Sequence, residues 1–256
     1  MPDSLIIAIP DIHGEAERLE RLLKLIRHHW PAVKLVFLGN YINYGPDSAG
    51  VLRLVRELTE QGHVALRGHA ETELLDYLDD PDENRFAWNR YMHWGGCQTM
   101  RSLEREAREW FDTPQMLEDY LTKTGMLAWI ESLPVFYREN NLVFTPAPVS
   151  STEWNRRGRP NELETVRGSV PGSGEEEYAA SLGAPPDCFA VCGHERVVAR
   201  RYREGVCAPV PDINTPVIAF ATDKGDVLRA GEATHWPKHS GNFGPMLFSH
   251  GLYLDC

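Results

Sequence analysis

Asp11 and His13 stand two residues apart at the end of the apolar run Leu5-Ile6-Ile7-Ala8-Ile9-Pro10. A carboxylate and an imidazole at that spacing, just past a strand, can point at one spot above a sheet edge. Together they suit Zn, Mn or Fe. The same residues also read as a plain strand-to-helix turn, with Asp11 capping and Gly14 easing the bend. Three more loops present polar groups after apolar runs: Gly39-Asn40-Tyr41-Ile42-Asn43-Tyr44-Gly45-Pro46, Arg67-Gly68-His69-Ala70-Glu71 and Cys192-Gly193-His194-Glu195.

The elements that must position these loops follow from periodicity. Glu15 to His29 reads as a helix, with Leu19, Leu22, Leu23 and Ile26 at helical spacing and Pro31 ending it. Val33 to Leu38 is a buried strand. Asp47 can cap a helix running to about Glu60, closed by Gly62. His63 to Leu66 is a short strand, and a helix follows through Leu74, Leu75 and Leu78. The pattern is three strand-loop-helix units, with each loop at the carboxyl end of its strand, where ligands gather in α/β sheets.

Residues 81–133 read as a helical insertion rich in Trp, Tyr and Met, broken at Gly95-Gly96. Its aromatic residues read as core. Strands are expected at Val135 to Arg138, Leu142 to Thr145, Cys188 to Cys192, Arg196 to Tyr202, Pro216 to Ala221 and Val227 to Ala230. The segment 146–187 reads as irregular, with one helix at Glu175 to Leu182, and a long loop of that kind is commonly functional. No linker or internal repeat interrupts the 256 residues, so one domain is expected.

A net charge of -11, with 42% hydrophobic and 25% charged residues, describes an ordinary soluble chain. It argues against nucleic acid and anionic membrane as partners. The five cysteines, Cys97, Cys188, Cys192, Cys207 and Cys256, form no C-x-x-C pair and are odd in number. That points to a reducing compartment. No signal peptide or membrane span is apparent, and a cytoplasmic location is expected.

The four loops, in this order and with these strands between them, resemble the PPP family of metallophosphoesterases, of calcineurin-like fold. The compact bacterial and phage serine/threonine phosphatases are the members most alike. Their signatures are GDxHG, GDxVDRG, GNHE, a later HAG or HGG, and a final GH. Phe37-Leu38-Gly39, Gly45-Pro46-Asp47-Ser48, Gly95-Gly96 and Thr99 fit the surroundings of those motifs. The resemblance spans roughly residues 5–230. It implies an α/β (α+β) fold of two packed mixed β-sheets flanked by helices. It also implies a two-metal site that generates hydroxide and clamps phosphate, with a catalytic His and arginines on the phosphate oxygens.

The departures from the family pattern fall on the chemistry. Asp11, His13 and His194 match family metal ligands. The bridging Asp is Asn40, the ligand Asn is His69, and a ligand His is Pro146. The catalytic His is Ala70, its orienting Asp is Asn43, and the phosphate-gripping Arg is Tyr44. The expectation is a pseudophosphatase that binds a phosphoprotein or small phosphate ligand with impaired or absent hydrolysis. The alternative is a repurposed or weak metal-dependent hydrolase with one Mn, Fe or Zn ion, or none. Its ligands would come from Asp11, His13, Asn40, His69 and His194. Arg67 and Arg156 are candidates for holding an anion. Arg157 is the alternative to Arg156, Arg159 reads as part of a solvated loop, and His235, His239 and His250 as solvated tail residues.

Overall fold

Side chains of the first strand alternate between two different cores. Ile7 and Ile9 face one way, with Leu35, Phe37 and Ala65 of the neighbouring strands. Ile6 and Ala8 face the other, with Val36, Leu38 and Leu66. This is the period-2 rule of a strand buried on both faces, and it explains why the run is apolar throughout instead of alternating with polar residues. The computed structural model describes residues 6–79, 91–147, 149 and 188–193, together with the backbone of strands at 218–221, 227–229, 246–248 and 251–253.

The element order begins β1 (Ile6–Ile9), α1 (Ala16–His29), β2 (Lys34–Phe37), α2 (Ser48–Glu60), β3 (Val64–Ala65) and α3 (His69–Asp79). After a π-type turn at Met92–Gly96 come α4 (Cys97–Ala107), α5 (Pro114–Lys123) and α6 (Met126–Ser132). Then follow β4 (Tyr137–Glu139), β5 (Leu142–Thr145), β6 (Phe189–Cys192), β7 (Ile218–Ala221), β8 (Val227–Arg229), β9 (Met246–Phe248) and β10 (Gly251–Tyr253).

Two five-stranded sheets result, ordered β3-β2-β1-β7-β8 and β4-β5-β6-β10-β9. In the first, β3, β2, β1 and β7 run parallel and β8 antiparallel. In the second, β5, β6 and β10 run parallel, flanked by antiparallel β4 and β9. Both sheets are therefore mixed. Ile6, Ala8, Val36, Leu38 and Leu66 meet Leu142, Phe144 and Val191 between them. The outer face of the first sheet carries the helices, through Leu23 of α1, Val55 of α2, Leu74 of α3, Leu103 of α4, Leu121 of α5 and Ile130 of α6. Each such side chain, fully buried, stabilises by roughly 1.5–3 kcal/mol.

Local signals placed the first six elements closely. The Asp47 carboxylate accepts from the Gly50 N–H and starts α2, as a cap should. Two expectations need correction. Val135 and Phe136 lie before β4 and pack with Val143 on the outer face of the second sheet. The carbonyl of the preceding Pro134 accepts from the Arg67 N–H, so the chain there is held by a loop contact. The tail also contains β9 and β10, which carry too few residues for a periodic signal; β10 pairs with β6 and β9 with β10. The expected strand at 196–202 and helix at 175–182 lie outside the described residues. Among the described residues, no helix is long and apolar enough to cross a membrane.

Candidate active site

Three loops at the carboxyl ends of β1, β2 and β3 are joined through their backbones. The Ile12 and His13 N–H groups both donate to the Asn40 carbonyl, at 3.0 and 2.9 Å. Gly14 N–H donates to Tyr41 O, and Gly45 N–H to His13 O. The β2 and β3 loops approach so closely that a Cβ on Gly68 would lie 2.3 Å from the Asn40 nitrogen. Only glycine fits there.

Glu71 holds this junction from below. Its side chain is fully buried. One oxygen accepts from Asn40 N–H at 2.8 Å and Gly68 N–H at 2.9 Å. The other accepts from Tyr41 N–H at 2.7 Å and, more weakly, Ile42 N–H at 3.4 Å. Burial pushes this carboxyl above its ordinary range, and the Tyr41, Asn40 and Gly68 donors pull it part of the way back. Sequence reading missed this role. The available signal was a glutamate in the first turn of a helix that follows directly on the Gly68 loop.

Asp11, His13 and Asn40 meet at the centre. His13 Nδ1 lies 2.8 Å from the Ile42 carbonyl, so that nitrogen carries the proton and donates. His13 Nε2 then faces Asp11 Oδ2 at 3.3 Å. Burial lowers the imidazole pKa, but Asp11, the Ile42 carbonyl and Glu71 more than reverse this, and the net shift is upward. Two bare lone pairs at that distance would repel, so either a second proton or a cation belongs between them. A backbone carbonyl fixing the far nitrogen is the usual support for a metal-ligating histidine. Asp11 and His13 thus fit one divalent ion.

Asn40 does not fit the bridging position. Its Oδ1 accepts from the Ala70 N–H at 2.9 Å, which fixes the amide's orientation. Its Nδ2 therefore points at Asp11 Oδ2, 2.8 Å away, and donates. The atom turned toward the Asp11 carboxylate is a proton donor and cannot ligate. It satisfies the oxygen that a cation would otherwise approach.

The remaining predicted residues divide. His69 Nε2 lies 3.0 Å from Glu73 Oε1, one turn along its own helix. Arg67 reaches the Glu131 carbonyl in the last turn of α6, at 3.4 Å. Pro146 is at the site edge, its carbonyl accepting from Gly193 N–H. Gly193 in turn sits against Asp11, where an added Cβ would lie 3.3 Å from Oδ1. The ends of β5 and β6 therefore close on the same place as β1. His194 and Arg156 lie outside the described residues, as do Arg157, Arg159, His235, His239 and His250.

Asn43 and Tyr44 carry the backbone strain of the β2 loop, with φ of 74° and 59°, and His13 and Asn40 share it at 46° and 54°. Such strain concentrates at functional sites and needs surrounding support. The support for Asn43 is Thr99 on α4. Thr99 Oγ1 accepts from Asn43 N–H and donates to Asn43 Oδ1, both at 2.9 Å. Ser102, one turn on, accepts from Ala49 N–H and donates to Asp47. The helical insertion is thus a strut for the loop, held close by Gly95, whose φ is 89° and whose added Cβ would lie 2.6 Å from Tyr44 N. Thr99→Val is expected to cost about 1–3 kcal/mol, because the buried Asn43 N–H loses its acceptor. Urea denaturation measures this, and a change within about 0.5 kcal/mol would show that the strut is dispensable. Tyr44 is 50% exposed and meets His13 edge-on, with ring centroids 4.9 Å apart.

A family model described as calcineurin-like phosphoesterase matches residues 4–195. The chain belongs to that family. Calcineurin-like phosphoesterases typically use divalent metals, and the sheets and loops above are their scaffold. A protein from Nitrosospira multiformis, named symmetrical bis(5'-nucleosyl)-tetraphosphatase, is 26% identical over 210 residues, which is 80% of this chain and 67% of the relative. A protein of the same name from Methylococcus capsulatus is 27% identical over 190 residues, covering 72% and 58%. One from Legionella pneumophila (strain Lens) is 41% identical over 78 residues, covering 30% and 27%. The chain thus spans between about a quarter and two thirds of these relatives. Among solved structures, a putative diadenosine tetraphosphatase aligns at 23% identity and TM-score 0.43, covering 78% of this chain and 83% of that one. A metallophosphoesterase from Sphaerobacter thermophilus aligns at 18% identity and TM-score 0.41, covering 74% and 59%.

Proposed function

We propose that this calcineurin-like phosphoesterase is a pseudophosphatase, which holds a phosphorylated ligand or a phosphoprotein at the loop edge with little or no turnover. The observation that carries the reading is the Asn40 amide, locked by Ala70 N–H with its nitrogen on Asp11. It replaces the charge that would hold two cations together with a neutral donor. Ala70 and Pro146 support the same reading, since neither side chain can give a proton or a ligand atom. General acid help alone is worth about 10²–10⁴-fold.

Asp11 and His13 are the described residues that would hold a single Mn, Fe or Zn ion. Bound there, the ion would polarise a phosphoryl oxygen and acidify a water. His13 is oriented for this by the Ile42 carbonyl, while Asn40 and Glu71 hold the loop around it. This intact pair favours the second reading, a weak mononuclear hydrolase. Its substrate class would then follow the named relatives, a bis(5'-nucleosyl) tetraphosphate.

Metal analysis of the purified protein and turnover with Mn²⁺ separate the two. The expected result is at most one ion per chain and background rates on both p-nitrophenyl phosphate and diadenosine tetraphosphate. Two ions per chain, or turnover near the roughly 1–10³ s⁻¹ typical of enzymes, would overturn the pseudophosphatase reading. One ion, lost in His13→Ala, with slow turnover of the tetraphosphate would favour the second.

A further inference from the structure

Arg101, Arg105 and Arg108 recur at i, i+4 and i+7 along α4 and its C-cap, and so share one face. Arg108 caps the helix in a left-handed conformation, φ 57° and ψ 34°. The chain then turns back, and Glu109 and Trp110 close a cleft of about 390 Å³ lined also by Arg101, Glu104, Arg105 and Arg108. That is within the usual size of small-ligand sites, roughly 300–1,000 Å³.

The groups in this cleft are unequally committed. The Glu104 carboxylate accepts from Phe111 N–H at 3.1 Å, and Phe111 is buried. Those contacts fix the turn that carries Trp110, which is nonetheless 74% exposed. Arg105 donates to the Pro46 carbonyl, in the loop that carries Asn40 and Tyr44. Among the described residues, Arg101 and Arg108 form no ion pair. Arg18, Arg21, Lys34, Arg53 and Arg56 each meet a glutamate. Arg101 and Arg108 instead place two guanidinium groups on the face that carries an exposed indole.

We propose that this cleft is a second ligand site, apart from Asp11 and His13, for a nucleotide-sized phosphate monoester bearing a flat ring. The phosphate takes the forked donors of Arg101 and Arg108. The ring stacks on the Trp110 indole, as nucleobases do on exposed aromatic side chains. Glu109 supplies an acceptor for ring N–H groups, and its charge disfavours long polyphosphates. The proposal does not depend on whether the chain hydrolyses anything.

Adenosine 5'-monophosphate is the probe, titrated into ¹⁵N-labelled protein while the Trp110 indole N–H signal is followed. Trp110→Phe assigns that signal. The expected result is a saturable shift with half-saturation below about 1 mM. Arg101→Gln with Arg108→Gln weakens it at least ~10-fold, and Asp11→Asn leaves it in place. Inorganic phosphate and adenosine each bind more weakly than the monophosphate. No shift, a shift indifferent to the arginine variants, equal binding of adenosine alone, or loss of the shift in Asp11→Asn would each overturn the proposal. All three substituted side chains of the cleft are exposed, so the fold survives their replacement.

Discussion

Asn40→Asp lowers the melting temperature in metal-free buffer and makes it strongly responsive to Mn²⁺. The Asn40 Nδ2 that now donates to Asp11 Oδ2 at 2.8 Å becomes a carboxylate oxygen facing another. The Asp11 side chain is only 2% exposed, so solvent screens the pair poorly. Losing one favourable contact and gaining a like-charge contact costs on the order of 3 kcal/mol. At roughly 2–4 °C per kcal/mol for a chain of this size, that is a fall of several degrees. The restored acidic pair then binds a cation more tightly than the parent, whose amide N–H faces the Asp11 carboxylate. Mn²⁺ at about 100 times its dissociation constant returns about 2.7 kcal/mol. The parent protein gains less, since Asp11 and His13 alone hold the ion.

The same logic extends to activity. Asn40→Asp combined with Asn43→Asp, Ala70→His and Pro146→His restores the family residues at those four positions and leaves His69, which can itself ligate, in place. Turnover of p-nitrophenyl phosphate with Mn²⁺ is expected to rise by at least ~10²-fold, the lower end of what general acid help supplies. A metal-indifferent Asn40→Asp, or a folded fourfold variant with no gain, would mean that Asn40 is not what silences the site.

Glu71→Gln is the other large effect, on stability. The carboxylate accepts four backbone N–H groups from two loops, and no neutral side chain repeats that. In the glutamine variant one oxygen becomes an NH₂ group facing two N–H donors. Buried donors left unmet cost about 1–3 kcal/mol each, so the loss is on the order of 4 kcal/mol. Glu71→Ala should be no milder, because it leaves all the donors unmet and a cavity besides. Chemical denaturation of both variants measures this. A glutamine variant within about 1 kcal/mol of the parent would show that water or loop movement replaces the carboxylate.

Much of the scaffold was legible in order along the chain. β1 through α3 carry their own periodicity, their own cap at Asp47 and their own breakers at Pro31 and Gly62. Those signals act within a turn or two, so sequence reading reaches them. β9 and β10 have no such pattern; β10 takes its register from β6, far away in the chain, and β9 pairs with β10. The contact of Arg67 with the Glu131 carbonyl is out of reach of local reading for the same reason, since the partner is distant in the chain.

By itself the sequence determined which atoms the site has: a carboxylate at 11, an imidazole at 13, an amide at 40, a methyl at 70 and a proline ring at 146. Set against the family pattern, those identities leave no imidazole at 70 and no side-chain ligand atom at 146, whatever the geometry. The tertiary structure alone decided which way the ambiguous atoms face. An amide can present oxygen or nitrogen to its neighbour. Here the Ala70 N–H, brought beside Asn40 by parallel strands and held there by Glu71, takes the oxygen and leaves the nitrogen for Asp11. Hydrogen bonds between residues about thirty positions apart settle that orientation, and no local pattern encodes them.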